Sequence, residues 1–166
     1  MGIFESKMDI TVYEHFKDKS SKLVSLICEL ELVMGREKAH KIVSHWAEKN
    51  AVNDVRAVVE SLDRPIESCN DVKVLLRHWV DALNKDNMEA VEITEETDTK
   101  SVCIVTECIY AKVFNDLDAP DVGHLLHCKQ DFPATPAIHP NMRLRRSKTL
   151  MEGQDCCDFE YYWKGK

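Results

Sequence analysis

The chain has 166 residues, 44% hydrophobic and 31% charged, with 22 lysines and arginines against 29 aspartates and glutamates for a net charge of −7. That is enough apolar material for the core of one ordinary domain, and it excludes a disordered chain. The acidic balance argues against nucleic acid and anionic membranes as general partners, because both call for surplus positive charge.

Seven cysteines beside five glycines and five prolines do not make a loop-rich disulfide scaffold. Met1 to Glu14 is charged and lacks the apolar centre of a signal peptide, and no apolar run is long enough to span a bilayer. The expectation is a cytoplasmic protein with reduced thiols and no membrane partner.

Ile10, Phe16, Leu23, Leu26, Ile27, Leu30 and Val33 recur mostly at three- and four-residue spacings. They predict a helix from Asp9 to Met34, stopped at Gly35. A second helix is expected from Arg36 to Lys49, with Ile42, Val43, Trp46 and Ala47 on one side. A short third follows near Val52 to Leu62, closed by Pro65. Asn70 reads as the N-cap of a helix from Asp71 to Leu83, with Val72, Leu75, Leu76, Trp79, Val80 and Leu83 as its stripe.

The period then changes. Val91 and Ile93 alternate with Glu92 and Thr94 in Met88 to Thr97, and Ser101 to Thr106 is apolar and β-branched, so the two read as an antiparallel hairpin. Cys108 to Leu117 reads as a helix, and Pro120 opens another short one through about His127. Asp131 to Asn141, with three prolines, is expected to be a loop. Met142 to Met151 and Cys156 to Trp163 read as a second hairpin around Glu152 to Asp155. The fold class is therefore α+β. N-terminal helices lie on or beside a four-stranded antiparallel sheet, with two short helices between its hairpins. Residues 1–87 form a helical region and 88–166 an α+β region, together one compact domain.

Cys28 and Cys103 lie in apolar segments, where a free thiol packs as a small hydrophobe, and Cys69 precedes a helix. Cys108, Cys128, Cys156 and Cys157 fall at predicted element ends, beside Glu107, His127, Asp131, Asp155 and Asp158. Thiolates, imidazole and carboxylates are zinc ligands, although no Cys-x-x-Cys pair is present. Adjacent residues on a strand point to opposite faces, so at most one of Cys156 and Cys157 joins such a cluster. Arg143 and Arg145 share a strand face and suit either a carboxylate clamp or a solvated face balancing the acidic surface. Glycine-rich phosphate loops and a Gly-x-Ser-x-Gly elbow are absent.

Three segments resemble the L-2-amino-thiazoline-4-carboxylic acid hydrolase family: Glu107-Cys108-Ile109-Tyr110-Ala111, Leu126-His127-Cys128-Lys129-Gln130-Asp131-Phe132, and Thr149-Leu150-Met151-Glu152-Gly153-Gln154-Asp155-Cys156-Cys157-Asp158-Phe159. The arrangement is also similar to 4-vinyl-reductase-like small-molecule-binding domains and, more distantly, to vesicle-transport-particle subunits. The resemblance implies a hydrolase of cysteine metabolism that opens a cyclic amidine to N-carbamoyl-cysteine.

On that reading Asp131, His127, Asp155, Cys156 and Cys157 are the candidate catalytic groups, with Glu152 and Asp158 as further bases. Arg143 or Arg145 would hold the substrate carboxylate, and Cys108, Cys128 and Cys157 a zinc ion that activates water and receives sulfur. Cys156 or Cys157 acting as nucleophile is the alternative chemistry. Two other readings stay open. One is a non-catalytic small-molecule-binding domain with a structural metal or thiol cluster. The other is a thiol sensor using the vicinal cysteines. The helical half can also pair with a second copy as a homo-oligomer.

Overall fold

The computed structural model describes residues 10–165. The charged stretch 1–9, which includes Asp9 where the first helix was expected to start, and Lys166 lie outside the described residues. Helix α1 (Val12–Met34) begins at a capping box: the Thr11 hydroxyl accepts from the Glu14 amide, and the Glu14 carboxylate accepts from the Thr11 amide. Gly35, at φ 83°, makes the single-residue turn into α2 (Arg36–Glu60), a backbone region that a side chain disfavours.

The sequence pattern suggested two helices here, and the structure has one. Asn50 lowers helix propensity only slightly. Ala47 is buried before it, and Val55, Val58 and Val59 pack after it, so the helix runs through. Helix α3 (Cys69–Lys85) is capped by Ser68 in a second capping box with Asp71, rather than by Asn70.

Strands β1 (Glu89–Glu96) and β2 (Lys100–Cys108) form the first hairpin, and β3 (Met142–Arg145) pairs with β4 (Cys157–Trp163). Antiparallel pairing of β2 with β4 joins them in the order β1-β2-β4-β3. The α+β class with a four-stranded antiparallel sheet is therefore the observed one. The third strand is shorter than Met142 to Met151. It stops at Arg145, and a turn of 3-10 helix, Leu150–Glu152, precedes β4.

Between the hairpins run α4 (Ile109–Asp116), α5 (Pro120–Gly123), a π-helical turn at His124–Cys128, and α6 (Asp131–Ile138). Helix α6 replaces the expected loop. Pro133 sits in its first turn, where the missing amide has no helical acceptor to lose. Pro136 in the second turn is tolerated, and the Thr135 hydroxyl bonds back to the Asp131 carbonyl at 2.7 Å.

Two apolar clusters carry the packing. One joins Ile27, Val43 and Ala47 to Phe114, Leu126 and Met151. The other joins Val72, Leu75 and Leu76 to Ile138 and Met142, with Tyr161 and Trp163 against it. Each draws on residues from both sides of residue 88.

Gly123 is where α5 presses closest on α4. A Cβ there would stand 2.6 Å from Phe114 Cγ and 2.7 Å from Met151 Sδ, and Phe114 is fully buried and cannot yield. Gly123→Ala is therefore expected to destabilise by about 1–3 kcal/mol through overpacking, seen as a lower denaturation midpoint with an unchanged slope.

Candidate functional site

Register places Glu89, the first residue of β1, opposite Cys108, the last of β2. The Cys108 thiol donates to Glu89 Oε1 at 3.4 Å. Both line an open cleft of about 780 Å³, walled also by Asn84, Ala111, Lys112 and Leu150. Burial pushes the Glu89 carboxyl up to about 7; the Cys108 bond opposes that rise, and the charge of Asp131 adds to it. Burial and the Glu89 charge push the Cys108 thiol far above its usual range.

The second part of the cluster is an interior ion pair. The Arg146 side chain is 2% exposed, and its Nη1 lies 2.5 Å from Asp131 Oδ2. Its Nη2 donates to the Cys128 carbonyl at 2.9 Å. Its guanidinium carbon stands 5.2 Å from the Phe132 ring centre and 5.0 Å from that of Phe159. Burial raises Asp131 to about 6 against the pull of Arg146.

Cys128 is pushed up to about 12 by burial, against the pull of Arg146. Cys157, also raised by burial, accepts from the Leu150 amide at 3.3 Å. These thiols are neutral at physiological pH and are poor nucleophiles.

The remaining sequence candidates lie elsewhere. His127 precedes Cys128 on the π turn, but its ring sits among Phe16, Tyr110 and Phe114, stacked 4.4 Å from Tyr110. Burial lowers it to about 4, so it is neutral. It lines a separate groove with Trp46 and Gln130. Asp155 is exposed and pairs with Lys148 at 2.9 Å, and the Cys156 thiol lies 3.8 Å from Asp155. Cys156, just before β4, is half-buried, while Cys157, the first residue of the strand, turns inward.

Asp158 accepts from the Ser147 and Lys148 amides and anchors their loop. Glu152 accepts from the Thr149 hydroxyl. Arg145 is 69% exposed and pairs with Glu160 on the outer face of the sheet, and Arg143 bonds the Pro140 and Met142 carbonyls. The interior cation is Arg146 instead. Sequence reasoning did not single out Arg146 or Glu89.

Zinc at these thiols would need its donors within about 2.0–2.3 Å of one ion. Cys108, Cys128 and Cys157 share the region, but their sulfurs do not all come within 4.8 Å of one another. Among the described residues the trio of metal-type donors that does is Glu31, His40 and Asp121, where Arg36 already pairs with Asp121. As arranged, the three thiols do not converge on a single zinc ion.

Two outcomes follow from the geometry. Arg146→Met leaves the Asp131 charge buried alone and is expected to cost about 3–5 kcal/mol in denaturant unfolding, whereas the double variant with Asp131→Leu recovers most of it. Iodoacetamide at neutral pH should modify exposed Cys28 and half-buried Cys156 before Cys108, Cys128 and Cys157, whose thiols burial raises, as read by peptide mass spectrometry.

Comparison with solved structures finds the phenol-responsive sensory domain of the transcription activator PoxR, solved with phenol. It shares 13% identity over 86% of this chain and 73% of that one, with a TM-score of 0.56. That likeness is one of fold. No curated protein matches the chain at a significant level. The family described as L-2-amino-thiazoline-4-carboxylic acid hydrolase matches residues 14–161, which include the first hairpin, most of the second, the interior ion pair and Glu89. The chain belongs to the L-2-amino-thiazoline-4-carboxylic acid hydrolase family.

Proposed function

We propose that the chain hydrolyses a small cyclic amidine of the 2-amino-thiazoline-4-carboxylate type, with Glu89 as the general base. The observation that carries this reading is a carboxyl group held near pKa 7 and bonded to a neutral thiol in a cleft of about 780 Å³. A base works best when its pKa lies near the working pH, and such groups cluster in clefts where chemistry occurs. The Cys108 bond occupies Oε1 and leaves Oε2 for water.

Glu89 takes a proton from water as the oxygen attacks the amidine carbon. The carbon–sulfur bond then breaks, the hydroxyl proton passes to the ring nitrogen as the carbonyl forms, and Glu89 returns its proton to the departing thiolate. Water is consumed and the product is N-carbamoyl-cysteine. Burial, with a smaller contribution from the charge of Asp131, favours the protonated form of Glu89 and supports its role as acid in the second step. The raised thiols argue against cysteine attack.

A second reading is small-molecule binding without turnover, and the fold shared with a phenol-responsive sensory domain favours it. Incubation of the protein with 2-amino-thiazoline-4-carboxylate separates the two. Accumulating N-carbamoyl-cysteine, measured by mass spectrometry, supports hydrolysis. Binding without product supports the second reading.

Under the first, Glu89→Gln lowers turnover by about 100-fold or more, and wild-type activity rises with pH to a plateau above about 7. The stability contribution has the opposite sign. A carboxyl raised from 4.5 to about 7 favours the protonated fold, so its stabilisation is present below 4.5 and is lost as pH climbs through about 7. Glu89→Gln should remove that part of the decline, which thermal melts between pH 5 and 8 measure.

A further inference from the structure

The cleft at Glu89 has an asymmetric charge pattern. Its lining carries two carboxylates, Glu89 and Glu107, and one cation, Lys112. From the N-cap Cys108, Ala111 and Lys112 lie three and four residues on, and Asn115 lies four and three beyond those, so one face of α4 forms a wall of the cleft. Cys108 is bonded to Glu89, and Lys112 stands one turn further along, about 5.4 Å in rise. Ala111 between them is small and leaves space.

Lys112 is held at the rim by Asp116, with Nζ 2.9 Å from Oδ2, and it stands 5.2 Å from the Tyr13 ring centre. The Tyr13 hydroxyl donates to the same Asp116 carboxylate. The Lys112 side chain is 64% exposed, and an exposed pair of this kind is weak and readily exchanged.

We propose that Lys112 is the carboxylate receptor of this site, released from Asp116 to meet an anionic group on a ligand whose cationic end faces Glu89. The proposal rests on the cleft being the substrate site and selects ligands bearing both charges about one helical turn apart. A 2-amino-thiazoline carrying a 4-carboxylate has that character, and its decarboxylated counterpart, 2-amino-2-thiazoline, lacks the anion. Lys112 is thereby a specificity-determining residue, and Asp116 competes with the ligand for it.

Calorimetric titration of the two compounds into wild-type protein, Lys112→Met, Lys112→Arg and Asp116→Asn tests this independently of turnover. The expected result is a wild-type preference of tenfold or more for the carboxylate compound. Lys112→Met abolishes the preference and leaves 2-amino-2-thiazoline binding unchanged, and Lys112→Arg largely restores it. Asp116→Asn, which frees Lys112, strengthens carboxylate binding two- to fivefold. Equal loss of both compounds in Lys112→Met, no loss of either, or no binding of either by wild type overturns the proposal. Turnover assayed in parallel keeps the two ideas apart: discriminating binding without product retains Lys112 as the receptor while removing the hydrolase reading.

Discussion

The buried ion pair between Arg146 and Asp131 is the constraint around which the second half of the chain is arranged. A guanidinium at 2% exposure cannot stand without a counter-charge, because stripping it of water costs several kcal/mol. The fold meets that cost with one carboxylate, one backbone carbonyl from Cys128, and two aromatic faces. Those partners come from the start of α6, the end of the π turn and β4. Fixing Arg146 therefore fixes where three elements meet, at the seam between the two apolar clusters.

Burial sets the protonation of the groups around the pair, and the charges of Arg146 and Asp131 act on some of them as smaller influences. With the positive charge of Arg146 already balanced by Asp131, a further charge in the seam has no partner. Glu89 is held near neutrality, and the thiols of Cys108, Cys128 and Cys157 keep their protons. This region combines polar groups with almost no mobile charge, apart from Glu89, which lines the cleft. Such a setting lets a single proton move without the surroundings reorganising.

Much of this was readable in the chain. The spacing of Leu23, Ile27 and Leu30, and of Val72, Leu75 and Leu76, marks α1 and α3 because burial is periodic on an amphipathic helix. The alternation around Val91 and Ile93 marks β1 for the same reason in a strand. Period two also separated Cys157 from Cys156. Applied to Met142–Arg145, it places Leu144 and then Arg146 on the inner side and Arg143 and Arg145 outside. The signal for Arg146 was thus present, but obscured by the grouping of three arginines. Glu89 had no such signal: it is one of four glutamates between 89 and 96, and only the pairing of β1 with the end of β2 distinguishes it. Helix α6 was hidden because its stability comes from packing against α2, which outweighs two prolines of low propensity.

The π turn at His124–Cys128 acts as a phase shifter in the chain. By taking in one residue more than an α-turn of equal rise, it rotates all that follows by roughly 100° relative to an uninterrupted helix. His127 and Cys128, neighbours in sequence, consequently serve two compartments, an aromatic one and a polar one. The phase of this short segment decides whether an acid three residues later points inward or out. A single insertion or deletion there would change the phase between His127 and Asp131, and with it the side of the helical layer on which the interior charge falls.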